Sequence, residues 1–422
     1  MYKAYKMDNY NLYMMKTDKF KTISMSIRFR KKKTKEDGVY AFILKDVLKS
    51  GTNGYEKLNE YYKAKLNIYY PTTNFQIVNY GKERTFAIST KIVNEKYTEK
   101  GMNEKGIKFV FDTLYNPKIK DLAFDKETFE ICRHDYIEML KAAKDDSFKY
   151  MTDRLWEEVN VYDFKLLSNE EAIKVAKSMT EKDLYNYYQS LFIDNSLDIF
   201  IVGDFDFEEM KNIIARIVKG NFKQNKNTSV ITFDTTKNKP KEIIETVRTS
   251  QSQLGLGLKF INLTDFERKY VSVFYSSILG GGWSSKLFQT VREKHSLCYF
   301  IGASRSISHS LLFIYASIDS KDYEETLKLI KQELHSMEKG DFTKEHMNQI
   351  LELYNNSLLE IEDNQTSIMN SLIDVTLTNN DTIEERRKNI KKVTKEDIMN
   401  LAKKVKLDTI FLLKGENKWK KK

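Results

Sequence analysis

The chain repeats itself, and no other feature of its 422 residues restricts the fold as much. Met179-Thr180-Glu181-Lys182-Asp183-Leu184 returns as Val393-Thr394-Lys395-Glu396-Asp397-Ile398, at an offset of 214 from Thr180 to Thr394. Leu197-Asp198 returns as Leu407-Asp408 at an offset of 210. Phe124-Asp125-Lys126-Glu127 returns as Phe342-Thr343-Lys344-Glu345 at 218, and Leu58 to Tyr70 lines up with Leu287 to Tyr299 at 229. One such match is coincidence. Four in the same order, with an offset that drifts as insertions make it drift, mark an internal duplication. The period is far longer than the roughly 20–45 residues of a solenoid unit. Two similar halves of mixed helix and strand are therefore expected, an α+β chain.

Composition narrows the class. Hydrophobic residues make up 41% and charged residues 31%, which is globular rather than disordered. No run of 18 apolar residues occurs, so no membrane span is expected. Met1-Tyr2-Lys3-Ala4-Tyr5-Lys6 leads into no apolar signal core, and the expected location is cytoplasmic. The net charge of +10 raises the question of an anionic partner. Lysine and asparagine are abundant throughout, and the densest basic run is Arg28, Arg30, Lys31, Lys32 and Lys33. It has one interleaved aromatic, Phe29, and no nucleic-acid motif beside it, so no nucleic-acid partner is expected. Two cysteines, Cys132 and Cys298, suggest neither a disulfide framework nor a cysteine metal site.

The expected division is a first half over residues 1–222, a polar, threonine-rich linker over 223–243, and a second half over 244–422. In the first half, Ile23, Met25, Ile27 and Phe29 alternate with polar residues as a strand does. Tyr40, Ile43, Leu44, Val47 and Leu48 give Val39 to Lys49 one apolar helical face. A helix over Tyr55 to Lys65 follows. Phe75 to Asn79 and Arg84 to Thr90 pair as a hairpin around Tyr80-Gly81-Lys82.

The densest motif lies in the second half. The apolar run Val271 to Leu279 ends in Gly280-Gly281-Gly282. Glycine stops a helix cheaply because it accepts the left-handed backbone of a C-cap. Ser284 is placed to cap the next helix, with Trp283 and Phe288 at the two positions of a hydrophobic staple. Arg292 falls near that helix's end, His295-Ser296 turns the chain, and Leu297-Cys298-Tyr299-Phe300 begins a strand. Arg292 and Tyr299 are thus expected to flank one turn and face one cavity. Taken alone, such an Arg is a helix C-cap charge and such a Tyr a packing residue.

These residues resemble the carboxyl-terminal half of the M16 (insulinase and processing peptidase) family, M16B subfamily. There the pattern is L-G-G-G-x-S-S-x-L-F, then R-E-K, then L-x-Y. This sequence gives Leu279-Gly280-Gly281-Gly282, Ser284-Ser285-Lys286-Leu287-Phe288, Arg292-Glu293-Lys294 and Leu297-Cys298-Tyr299. The resemblance covers essentially the whole chain and is strongest after Phe260. It implies two α/β halves, each an antiparallel sheet flanked by helices, that form half of a clamshell chamber. It also implies that Arg292 and Tyr299 reach across a closed chamber to the scissile region of a substrate.

Active members of that family carry His-x-x-Glu-His on the first long helix, with Gly-Thr a few residues later. Two imidazoles one turn apart grip zinc, and the Glu activates water. Here Gly51-Thr52 sets the alignment, and the motif positions read Phe42-Ile43-Leu44-Lys45-Asp46. Both His positions are lost, to Phe42 and Asp46, and the Glu is Lys45, which repels a divalent cation. The third ligand falls near Glu138 or Met139. The alignment favours Met139, a poor zinc ligand. The remaining histidines, His134, His295, His309, His335 and His346, make no His-x-x-x-His pair. No Ser/His/Asp order or phosphate loop appears, and Ser284-Ser285 lacks an elbow motif. No cofactor and no catalytic residue of its own are expected for this chain.

The resemblance then implies a non-catalytic subunit of a heterodimeric zinc metalloprotease. In bacterial pairs of this kind one subunit supplies the zinc site and the other the Arg/Tyr pair. The expected partner is an M16 subunit with an intact His-x-x-Glu-His that carries the zinc, and the expected substrate a peptide. Arg292 and Tyr299 would donate to the carbonyl that becomes an oxyanion. A substrate strand would add to a sheet edge near Leu66 to Val78. The alternative is an M16-like scaffold or binding subunit with no part in catalysis, as in the core subunits of a respiratory complex. Arg292 and Tyr299 retained together favour the first. Such pairs occur both in peptide maturation and in modification of translation factors.

Overall fold

The computed structural model describes residues 1–55, 57–159, 167–223 and 230–416. Glu56 of the helix expected over Tyr55 to Lys65, and residues 224–229 of the expected linker, lie outside the described residues. The strands are β1 (Tyr2–Lys6), β2 (Asn11–Lys16), β3 (Thr22–Lys32), β4 (Asn74–Tyr80), β5 (Glu83–Val93), the short pair β6 (Ile119–Lys120) and β7 (Ala123–Phe124), β8 (Ser196–Gly203), β9 (Lys241–Val247), β10 (Ser252–Phe260), β11 (Cys298–Ser306), β12 (Leu311–Ile318) and β13 (Val405–Gly415). The helices of the first half are α1 (Asp37–Lys49), α2 (Leu58–Leu66), α3 (Met102–Tyr115), α4 (Lys126–Lys141), α5 (Ser147–Val159), α6 (Asn169–Ser178), α7 (Glu181–Ser190) and α8 (Phe207–Ile217). Those of the second half are α9 (Ser272–Gly280), α10 (Tyr323–Glu338), α11 (Lys344–Asp363), α12 (Gln365–Leu377), α13 (Ile383–Asn389) and α14 (Lys395–Lys403). No helix among the described residues is long and apolar enough to cross a membrane.

The duplication seen in the sequence is a duplication of topology. One sheet runs β1-β2-β8-β3-β5-β4 and the other β9-β13-β10-β12-β11. Apart from the extra β1, the two orders correspond strand for strand. In each, one pair is parallel (β2 with β8, β13 with β9) and the rest are antiparallel. The repeated dipeptides explain themselves at this level. Thr180 and Thr394 each close a capping box with an Asp three residues on, at the start of α7 and α14. Asp125 and Thr343 each accept a backbone N–H three residues on, at the start of α4 and α11. Asp198 and Asp408 are both fully buried carboxylates paired with a cation, Arg30 at 2.6 Å and Lys259 at 2.8 Å.

The basic run of the sequence is mostly internal wiring. Arg30 also reaches Glu83 at 2.7 Å, Arg28 donates to the Tyr80 hydroxyl at 3.0 Å, and Lys31 pairs with Asp37 at 2.8 Å. Lys33 donates to the Gly81 carbonyl at 2.7 Å, and burial, with Arg84 beside it, lowers its pKa to about 8. These charges hold the first sheet together and form no continuous surface stripe.

Contacts divide the chain into two compact units. The first comprises Met1–Leu140, Asn169–Thr228 and Glu360–Asn379, and the second Lys141–Ser168, Ser229–Leu359 and Asn380–Lys422. Relative to a division at 222 and 244, two segments change sides: α5 belongs with the second sheet and α12 with the first. In the first unit, Ile368, Met369, Leu372, Ile373 and Leu377 of α12 pack on Phe200 and Val202 of β8. Gln365 pins the helix start by donating to the carbonyls of Thr22 and Val202 at 2.7 and 3.1 Å. In the second unit, Tyr150, Met151, Leu155 and Val159 of α5 pack with Phe313 of β12 and Phe411 of β13. Nothing in the local sequence of either helix says which sheet it covers, because both present the same kind of apolar face.

Candidate functional site

The turn before β11 is built from the buried side. α9 ends at Gly280, where a Cβ would lie 2.6 Å from the Ala303 nitrogen, so only glycine lets the helix come this close to β11. Gly282, at φ +136°, then redirects the chain. The next helical turn begins at Lys286, with the Ser285 hydroxyl donating to the Gly282 carbonyl at 2.6 Å. Ser284 is not the cap, and the expected staple does not form. Trp283 is 82% exposed, because the turn at Gly282 points it outward. Phe288–Lys294 winds as a π-helical segment, anchored by the buried Leu287 and Val291.

Its polar side is clamped to α10. Thr290 donates to Glu333 at 2.6 Å, and Lys286 reaches Glu333 at 3.2 Å and Asp341 at 3.0 Å. These partners lie 43 and 55 residues away along the chain, so no local pattern announces them. The segment closes through Ser296, at φ +53°, with the N–H groups of Ser296 and Leu297 returning to the carbonyls of Arg292 and Val291, each at 3.0 Å.

Arg292 and Tyr299 stand on either side of this closure. The Arg292 guanidinium lies over the Phe288 ring, 4.7 Å from its centroid. Tyr299 is the extra residue of a β-bulge, since Cys298 pairs with Ile318 and Phe300 with Ser317. A bulge leaves its residue unpaired and re-aims the side chain, and here Tyr299 is 61% exposed. Cys298 beneath it is buried. Burial pushes its thiol up to about 11 against the pull of Arg292, whose charge therefore reaches back across the turn. Neither Arg292 nor Tyr299 has a salt-bridge or hydrogen-bond partner among the described residues. A planar donor fork and a phenolic hydroxyl so presented can bind a carbonyl or carboxylate oxygen. β11 is also an edge strand of its sheet, as β4 is of the other.

The first unit carries the positions at which the family resemblance expects a metal. Thr52 is buried, and its hydroxyl donates to the Asn116 carbonyl, which fixes the end of α1 to the end of α3. That contact gives the Gly51-Thr52 pair its structural reason. Phe42 stacks on Tyr136 of α4, with centroids 5.9 Å apart. Lys45 sits 5.4 Å from the Phe42 centroid and 3.1 Å from Asp46, which Lys49 also approaches at 3.4 Å. Burial raises the Tyr136 phenol to about 12, with Arg84 pulling the other way. Met139 is 52% exposed and lies on the Cys132–Tyr136 face of α4 by helical spacing. Cys132 on that face lies 3.9 Å from the hydroxyl of Ser50, the residue that follows α1.

These residues do not fit zinc. Phe42 offers no donor, Lys45 brings a cation, and the Asp46 carboxylate is engaged by two lysines. Among the described residues, no group of three or more His, Cys, Asp or Glu is placed to hold a metal ion.

Comparison with known proteins agrees with this architecture. The family description "Peptidase M16 inactive domain" matches residues 178–354. The chain is 27% identical over 409 residues to the probable inactive metalloprotease YmfF of Bacillus subtilis, covering 96% of this chain and 95% of that one. The crystal structure of a conserved protein from Enterococcus faecalis has a TM-score of 0.90 at 22% identity, over 98% of this chain and 99% of that one. The peptidase M16 inactive domain from Pseudomonas fluorescens has a TM-score of 0.79 at 14% identity, over 99% and 98%. The family match spans less than half of the chain and the Bacillus relative most of it at lower identity, so the chain is similar to inactive M16 peptidases in sequence and shares their fold.

Proposed function

We propose that this chain is the non-catalytic subunit of a heterodimeric, cytoplasmic M16 zinc metalloprotease that processes peptides. The partner is a second M16 subunit with an intact His-x-x-Glu-His, and the zinc belongs to that subunit. This chain contributes Arg292 and Tyr299 to the substrate carbonyl at which charge develops. One observation carries the reading: Arg292 and Tyr299 stand exposed on a clamped turn, without a hydrogen-bond or salt-bridge partner among the described residues, while the motif positions of the same chain hold Phe42, Lys45 and Asp46. A fixed, unpaired donor pair is what stabilises an oxyanion, because it needs no reorganisation as the charge forms. The name of the Bacillus relative, a probable inactive metalloprotease, is consistent with it.

The experiment is reconstitution. The chain is mixed with an M16 protein of the same organism that carries His-x-x-Glu-His, and mass, zinc content and peptide hydrolysis are measured. The reading expects a 1:1 complex with zinc in the partner alone, and hydrolysis by the mixture that neither protein shows by itself. About one tightly bound zinc on the isolated chain, or full activity of the partner without it, contradicts the reading.

A further inference from the structure

The bulge that re-aims Tyr299 also turns Phe300 outward. Cys298 and Ile301 both lie in the core shared with α9, and the two residues between them are both exposed, where a regular strand would bury one of them. Tyr299 and Phe300 therefore stand side by side, away from that core. The Phe300 ring meets Phe148, at the start of α5, edge to face, with centroids 6.0 Å apart at 83°. Phe148 meets Tyr315 of β12 in the same way, at 5.7 Å and 65°. Tyr315 stacks on Phe313, at 5.9 Å and 8°, and Phe313 packs on Trp156 of α5, at 4.4 Å. Gly302, which pairs with Tyr315, adds no side chain to this row, and a Cβ there would touch the Phe300 ring at 3.4 Å. The row is buried at its Phe313 end and open at the other, where Phe300 is 49% and Phe148 37% exposed. β11 is the last strand of its sheet, so no further strand covers the opening.

The size of the opening limits what covers it. At about 200 Å² for a whole aromatic side chain, the exposed parts of Phe300 and Phe148 come to about 170 Å². That is the area of one large side chain, far below the roughly 800 Å² per partner of a stable protein interface. The polar surroundings say what such a side chain belongs to. Tyr299, the next residue, and Arg292, across the turn, offer donors to a carbonyl oxygen. Successive residues of an extended peptide are about 3.3 Å apart, so a carbonyl bound at Tyr299 brings an adjacent side chain over Phe300.

We propose that Phe300 and Phe148 form a shelf that receives a large apolar side chain of the peptide substrate, beside the carbonyl held by Arg292 and Tyr299, and so favour one kind of peptide over another. The proposal rests on the reading of Arg292 and Tyr299 as substrate-binding residues. Burying the apolar side chain against the two rings supplies the preference, and edge-to-face contact adds to it when that side chain is aromatic.

The test has two arms. In the first, the chain alone is titrated with two fluorescently labelled, end-capped peptides that differ in one residue, phenylalanine or alanine, and binding is read by anisotropy. The phenylalanine peptide should bind about tenfold more tightly. The ratio should fall to about twofold or less in Phe300→Ala and in Phe148→Ala, and persist in Ile244→Ala, on the opposite edge strand of the same sheet. Circular dichroism screens the variants for folding. Where an alanine variant loses its cooperative melt, Phe300→Gln or Phe148→Gln replaces it, keeping bulk but removing the apolar face. Equal affinities for the two peptides, or a ratio unchanged in both shelf variants, overturns the shelf. So does a wild-type chain that self-associates, or a complex with the catalytic partner that weakens, through Phe300 at an unchanged peptide ratio, because the shelf then belongs to a protein face. In the second arm, kcat/KM of the reconstituted complex for the same two peptides should show a preference of the same direction. A complex that hydrolyses neither peptide, although the chain alone discriminates between them through Phe300, contradicts the reading of Arg292 and Tyr299 and not the shelf.

Discussion

Lys45 stands where the M16 resemblance places the catalytic Glu of an active enzyme, with its ammonium 3.1 Å from Asp46 and over the Phe42 ring. Asp46 is thus engaged by Lys45 and Lys49 of its own helix, and the surplus positive charge repels a divalent cation. Restoring the motif is therefore expected to be insufficient. The triple variant Phe42→His, Lys45→Glu, Asp46→His should bind zinc more weakly than micromolar, since Met139 offers no third ligand and no outer shell orients the imidazoles. Adding Met139→Glu should tighten binding at least tenfold in a chelator competition. Sub-micromolar zinc binding by the triple variant, or no gain from Met139→Glu, would show that Glu138 and not Met139 is the third position. At this scale the sequence was informative wherever a motif is local. Gly51-Thr52 set the expected alignment of Phe42, Lys45 and Asp46, and the glycine-rich pattern pointed to Arg292 and Tyr299 as candidates. It was silent about Tyr136 under Phe42 and Glu333 under Thr290, because those partners arrive from distant elements. It misjudged Trp283, which the hydrophobic staple packs against Phe288 and the turn at Gly282 exposes.

Among elements, the decisive junction is α9 against β11. Helix and strand meet at Gly280, with no room for a Cβ before the backbone of Ala303. Gly280→Ala should force the two apart and cost about 1–3 kcal/mol, as overpacking does in a tight interior. Urea denaturation monitored by circular dichroism should show a lower midpoint at unchanged slope. An unchanged midpoint would mean that α9 sits farther from β11 than described. The same substitution shifts the base of the bulge that aims Tyr299, so turnover of a reconstituted complex should fall with it. The existence of α9 and β11 was legible from apolar runs and glycines. The π-helical winding of Phe288–Lys294 was not, because Leu287 and Val291 satisfy an α-helical spacing equally well.

On the scale of the whole chain, the duplicated pattern correctly implied two sheets of like topology, but contiguity in sequence concealed the exchange of α5 and α12. That exchange has a direct consequence. A fragment of residues 1–222 carries α5 without its sheet and lacks the five α12 residues that cover Phe200 and Val202. At about 1.5–3 kcal/mol for each buried side chain, the missing helix is worth on the order of 10 kcal/mol, as much as a typical domain's whole stability. The fragment should therefore bind a hydrophobic dye and melt without cooperativity, and a peptide of residues 360–379 added in trans should restore a cooperative transition. A fragment that folds cooperatively unaided would contradict the assignment of α12 to the first sheet.

The central claim is that this chain completes another subunit's reaction through Arg292 and Tyr299. Steady-state kinetics of the reconstituted complex tests it most directly, with Arg292→Ala and Tyr299→Phe each compared with the unaltered chain. Both side chains are exposed and neither holds the turn, so assembly and zinc content should be unchanged in each variant. Loss of one donor to a developing oxyanion should lower kcat by roughly 10²–10³, with little uniform weakening of substrate binding. Full kcat in both variant complexes, intact by size-exclusion chromatography and loaded with zinc, would contradict the claim and leave the chain a scaffold.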